Sequence, residues 1–147
     1  MTPRSSRRSA RPAARLLACA GLALATTLSP SVRAAGETTP AARAYLDLRA
    51  AAARAKTPDS VLPLLSASYR RAVAGMPGAE RDDWFRRFRQ FPPHPVTIQA
   101  QAVAGDRGAL GAVARDASHV KWSGRVEMVL EGGAWKLADE RWTSERR

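Results

Sequence analysis

Cysteine occurs once in this chain, at Cys19, and histidine twice, at His94 and His119. A single thiol makes no disulfide within the chain, so stability has to come from packing. Two isolated histidines offer no metal-ligand spacing. HExxH, GxSxG and glycine-rich phosphate-loop patterns are all missing. Neither a metal nor a cofactor is therefore expected. Long apolar runs are missing too: the uncharged core at 16–28 has 13 residues, against about 20 for a membrane span. Acids are scarce, with 13 against 24 basic residues and a net charge of +11.

The basic excess is not evenly spread. Arg4, Arg7, Arg8, Arg11 and Arg15 precede the uncharged core, and no acid accompanies them. Ser29-Pro30-Ser31-Val32-Arg33-Ala34-Ala35 follows it. A positive start, an apolar core and a small-residue cleavage site make a secretory signal peptide. Cleavage between Ala34 and Ala35 puts Val32 at −3 and Ala34 at −1. Residues 1–34 are read as the signal, 35–38 as a loose lead, 39–142 as one domain and 143–147 as a flexible tail. The product is expected to be periplasmic or secreted. Two alternatives stand beside this. Ser6-Arg7-Arg8-Ser9 resembles a twin-arginine signal, and Leu16-Leu17-Ala18-Cys19 resembles a lipoprotein box that would anchor the chain in the envelope through lipid on Cys19. Most of the apolar core follows Cys19, which favours the soluble product.

Cleavage removes six of the 24 basic residues and no acid, leaving 18 against 13, or +5. That charge favours solubility and weak attraction to anionic surfaces. It excludes no partner by itself, but with export it argues against nucleic acid. The membrane is then met only through the signal, or through a lipid on Cys19.

The first half of the domain reads as helices. Thr39-Pro40 supplies an N-cap and a first-turn proline. Ala41, Tyr45, Leu48 and Ala52 follow on one face. Thr57-Pro58 starts a short second segment that Pro63 interrupts, and 67–74 gives another helix. Residues 79–91 are amphipathic, with Trp84, Phe85, Phe88 and Phe91 in one stripe and Arg81, Arg86, Arg87 and Arg89 around it. The stripe is expected to be core; a membrane-surface role is the alternative.

From residue 95 the period becomes two. Strands are expected near 96–103, 109–116, 120–131 and 134–142. Gly132-Gly133 makes a two-residue hairpin. Its register pairs Glu131 with Ala134, Leu130 with Trp135, Met128 with Leu137 and Val126 with Asp139. The face Leu130, Trp135, Met128, Leu137, Val126 then ends on a carboxylate, Asp139. Helices followed by an antiparallel meander define an α+β fold, with N-terminal helices packed on a curved sheet of about four strands, cone-like, behind a signal peptide.

Ala42-Arg43-Ala44-Tyr45-Leu46, Leu62-Pro63-Leu64-Leu65-Ser66 and the closing Glu131-Gly132-Gly133-Ala134-Trp135-Lys136-Leu137-Ala138-Asp139-Glu140 resemble the nuclear transport factor two-like superfamily. The resemblance is to its small exported bacterial members and spans about residues 39–142. It implies a cone lined here by Tyr45, Val126, Met128, Leu130, Trp135, Leu137 and Asp139. It does not choose between the superfamily's enzymes and its binding domains, and no catalytic motif maps onto this chain.

Two functions follow. The first is a non-catalytic envelope module that binds a small apolar ligand or an envelope protein. The second is a cone-pocket enzyme of proton-transfer, dehydration or isomerisation type, with Asp139 as base and Tyr45 or His119 as donor. The plain role for Asp139 is a strand-end ion pair with Arg125 or Arg141. A homodimer through Thr97, Gln99, Gln101 and Val103 is a third expectation. N-terminal sequencing of the protein from its own cell should return Ala35 as the first residue; a lipidated Cys19 would overturn the soluble product.

Overall fold

The structure, a computed structural model, describes residues 38–145 and the backbone of 31–33. The expected signal sequence apart from 31–33, its expected cleavage site at Ala34 and Ala35, and residues 146–147 lie outside the described residues. Ser31–Arg33 forms a short strand, β1, at the edge of the sheet.

Pro40–Arg54 is the long helix α1. Its N-terminus is built as the sequence implies: the Thr39 hydroxyl accepts from the Ala42 N–H at 3.2 Å, with proline in the first turn. Two 3-10 turns follow, Pro58–Ser60 and Leu62–Leu64. Each starts at or next to a proline, which lacks the N–H needed to extend a ladder. Ala67–Ala74 is α2, capped by the Ser66 hydroxyl on the Tyr69 N–H at 3.2 Å. Gly78–Gln90 is α3, and its Phe85 and Phe88 are buried. The aromatic stripe is thus core on this side, and Trp84 stacks on Phe88 with ring centroids 5.0 Å apart.

Val96–Ala104 (β2), Arg107–Arg115 (β3), Lys121–Glu131 (β4) and Ala134–Ser144 (β5) form an antiparallel meander. With β1 the order is β1-β2-β3-β4-β5. The fold is α+β, with four long strands as expected. The free edge of β5 is partly covered: Leu65 bridges Leu137, and the Ser66 N–H donates to the Leu137 carbonyl at 2.8 Å. Lys136 Nζ reaches the Pro63 carbonyl at 2.5 Å. One sheet face carries Leu110, Val126, Met128 and Leu137, all essentially inaccessible, packed with Tyr45, Leu48 and Val61 into one core. Each buried Val, Leu or Met contributes about 1.5–3 kcal/mol.

Three expectations change. Residues 143–144 belong to β5: Ser144 pairs with Trp122, and the Glu145 N–H donates to the Lys121 carbonyl at 2.9 Å. The tail is therefore strand up to Ser144. The hairpin register holds from Glu131–Ala134 to Met128–Leu137, then slips. Ala138 is an extra residue, so Glu127 faces Asp139 and Val126 faces Glu140. A bulge of one residue moves every following side chain to the other face. The third change has the same cause. β2 slips between Ile98 and Ala100, so Thr97 is exposed while Gln101 is buried and accepts the Thr39 N–H at 3.0 Å. Thr97, Gln99, Gln101 and Val103 therefore share no single face for a dimer.

Gly124 shows how tightly the bulged strand packs. A Cβ there would lie 2.6 Å from Trp142, its partner across the ladder, whereas a Cβ at Gly78 would meet nothing within 4 Å. Gly124→Ala should cost about 1–3 kcal/mol through overpacking, and Gly78→Ala should be neutral or gain up to about 1 kcal/mol. Urea denaturation of the two variants checks the contrast.

Candidate functional site

The bulge at Ala138 turns Glu140, not Asp139, toward the helices. Tyr45 and Arg49, one turn apart on α1, face it. The Tyr45 hydroxyl donates to Glu140 Oε2 at 2.8 Å, and Arg49 Nη1 meets Oε1 at 3.1 Å. Trp142 Nε1 reaches Oε2 at 3.5 Å. Arg49 Nη2 donates to the Phe88 carbonyl at 2.6 Å and also to the Phe91 carbonyl. Its guanidinium lies over the Phe88 ring, 4.7 Å from the centroid. One arginine thus ties α1 to β5 and to the end of α3. Tyr45 is 0% exposed, and the side chains of Arg49 and Glu140 are 1% and 11% exposed.

Burial first, and then the Glu140 charge, push the Tyr45 hydroxyl far above its ordinary value of 10. It stays a hydrogen-bond donor across the physiological range. Burial also raises Tyr69, whose oxygen accepts from Trp84 Nε1 at 3.4 Å. His94 lies on the surface beyond α3. Partial burial, and then the Arg49 charge, hold it below its ordinary 6.5.

Asp139 lies elsewhere. Its side chain is 44% exposed and pairs with Arg141 Nε at 3.0 Å. This is the plain ion pair that the sequence allowed, with Arg141 as partner; Arg125 lies instead 3.9 Å from Glu127. His119 is exposed, with φ of 61°. It closes the turn between β3 and β4: its N–H donates to the Asp116 carbonyl at 2.9 Å, and its carbonyl accepts from Arg115 at 3.3 Å. Asp116 organises the same turn, accepting from the Ser118 and Val120 N–H groups and from Trp122 Nε1. Of the candidate trio, only Tyr45 enters the interior cluster.

Four of the expected cone-lining residues, Tyr45, Val126, Met128 and Leu137, are 0–1% exposed and packed against one another in the core. Leu130 is 39% exposed, and Trp135 is half-buried. The four buried residues belong to the same hydrophobic core cluster as Leu48, Val61 and Leu65. Sequence reasoning missed Arg49 and Glu140. The signal was present. Trp135 and Leu137 occupy odd positions and Trp142 an even one, and such a phase switch within one strand marks a bulge.

Among the described residues two surface grooves are open. One of about 530 Å³ lies between the end of α1, the Pro58 turn and α3, lined by Ala53, Lys56, Pro58, Phe85, Arg86 and Arg89 among others. The second, about 290 Å³, is a shallow apolar depression over Ala102, Ala104, Ala109 and Met128. Neither is lined by Tyr45, Arg49 or Glu140. Among the described residues no group of three or more His, Cys, Asp or Glu is placed to hold a metal ion, and no helix is long and apolar enough to cross a membrane.

The chain matches no protein-family model, no curated protein and no solved structure.

Removing one partner of a buried pair strands the other charge. Glu140→Ala should therefore cost about 3–5 kcal/mol, while Asp139→Ala, at an exposed pair, should cost under about 1 kcal/mol. Thermal or urea unfolding of both variants distinguishes them. Equal losses would mean that Glu140 is not the buried partner.

Proposed function

We propose that this chain is an exported cell-envelope module that binds a small ligand or a protein without catalysing a reaction. Its architecture is taken to be that of the nuclear transport factor two-like superfamily, helices set against one face of a meander. The α+β order and the Gly132-Gly133 hairpin support that assignment. The leader with its five early arginines and 13-residue apolar core supports export.

One observation carries the non-catalytic reading: among the described residues the carboxylate of the interior cluster is engaged at both oxygens. Glu140 Oε1 is taken by Arg49, and Oε2 by Tyr45 and Trp142. A general base needs an acceptor within hydrogen-bond reach of the substrate proton. This oxygen pair holds the fold together instead. Proton transfer through Asp139 has less support, because its partner is Arg141 on the exposed side of the sheet edge. Binding is then a property of the surface, and the 530 Å³ groove is the larger of the two concavities described.

Native mass spectrometry of the protein purified from its own cell tests the reading. A stoichiometric adduct or a bound partner chain is the expected result. A bare monomer in every preparation would overturn it.

A further inference from the structure

The groove between α1 and α3 is unlike the interior cluster in one respect: two of its three cations are not spent. Lys56, Arg86 and Arg89 line it against a single acid, Asp82. Arg86 is paired with Asp83 at an exposed position. Lys56 and Arg89 have no ion-pair partner among the described residues. Arg89 lies 5.5 Å from the Phe85 ring centroid, and its Nε is buried with no hydrogen-bond partner among the described residues. A buried donor without an acceptor costs about 1–3 kcal/mol, so its retention calls for an explanation.

The ordinary explanation for basic residues here is that they complement the carbonyl ends of α1 and α3. Much of that work is done by other groups. The Phe88 and Phe91 carbonyls accept from Arg49, the Arg87 carbonyl from the Phe91 N–H, and the Ala52 carbonyl from the Ala55 N–H. Among the described residues no hydrogen bond ties Arg89 or Lys56 to these helix ends. The lining around the cations is mixed: Ala53, Pro58 and the Phe85 ring are apolar, and Thr57, Asp82 and Gln90 are polar. A volume of about 530 Å³ is within the range of small-molecule sites.

We propose that this groove binds an organic anion, a compact apolar body carrying a carboxylate or phosphate. The anion sits against the Arg89 guanidinium, beside Lys56 and Arg86; the body lies against Ala53, Pro58 and Phe85. An anionic oxygen there accepts a charge-assisted hydrogen bond and offsets a local excess of one positive charge, Lys56, Arg86 and Arg89 against Asp82 and the Asp83 paired with Arg86. The proposal deepens the binding-module reading and rests on it, naming the class of ligand and the place.

Phenyl phosphate is a suitable probe, titrated calorimetrically into the protein as purified from its own cell, with inorganic phosphate and phenol as comparators. Saturable one-to-one binding is expected, at least ten-fold tighter than either comparator. Arg89→Gln should weaken it ten-fold or more, and the exposed Lys56→Gln should weaken it several-fold should Arg89→Gln fold poorly. Arg141→Gln, the same charge change at β5, should leave it within two-fold. In proton–nitrogen spectra the Arg89 Nε–H signal should move on saturation. Equal weakening by Arg141→Gln would reduce the effect to general attraction by a basic protein and overturn the site. Inorganic phosphate binding as tightly as phenyl phosphate would overturn the apolar half. A native-mass adduct that survives unchanged in both Arg89→Gln and Lys56→Gln would also overturn this groove, while leaving the binding-module reading standing.

Discussion

Arg49 is the constraint on which the arrangement of this molecule depends. It is the one charged residue in the buried class among the described residues, and it joins three elements at once. Burying a charge is expensive unless it is paired and hydrogen-bonded. Here Glu140 supplies the counter-charge, the Phe88 and Phe91 carbonyls take the second nitrogen, and the Phe88 ring lies beneath the guanidinium. Those demands fix where α3 ends relative to α1, and which strand of the sheet lies under both. An apolar residue at 49 would bury as well, but would not select this one register. Two carbonyls at the end of α3, those of Phe88 and Phe91, accept from the same side chain, which offsets the cost of burying them.

The register itself turns on a single residue. Without the bulge at Ala138, the alternation through Leu137 would carry Asp139 inward and leave Glu140 at the surface. With it, Glu140 and Trp142 face the helices and Asp139 pairs with Arg141 outside. Two adjacent carboxylates thus take opposite roles, one structural and buried, one solvated. Gly124 completes the device, because only a residue without a Cβ leaves room for Trp142 across the ladder. Bulge, glycine and tryptophan are one local solution to placing a carboxylate beneath Arg49.

This also explains which parts of the fold were legible beforehand. Helix starts were readable at Thr39-Pro40 and at Pro58, because a cap hydroxyl and a first-turn proline act through the two or three residues beside them. The hairpin at Gly132-Gly133 was readable because turn chemistry fixes pairing for several residues on either side. Legibility ended where a non-local demand took over. Both slips, at Ala138 and between Ile98 and Ala100, occur in strands whose far halves must satisfy groups on α1 or just before it: Glu140 for Arg49, Gln101 for the Thr39 N–H. Strict alternation has no term for such partners. The odd-to-even switch from Leu137 to Trp142 was the one local trace of it. Arg49 left no trace, since an arginine on a helix face reads as solvated until its acceptors are known.

The division between satisfied and unsatisfied polar groups then bears on function. Inside, both oxygens of Glu140 are engaged by Arg49, Tyr45 and Trp142. Outside, Arg89 keeps a buried N–H without an acceptor, on the rim of the larger groove described. The two buried guanidinium Nε atoms without partners belong to Arg49 and Arg89, and the difference between them is instructive. Arg49 compensates through both terminal nitrogens, so its Nε is a small residue of an otherwise satisfied group. Arg89 has no such compensation among the described residues, only the edge of Phe85. A fold that spends a buried ion pair on positioning α3 also positions Arg89, Arg86 and Phe85, which that helix carries. The same clamp that orders the interior around Glu140 therefore presents a basic, partly apolar groove one helix face away.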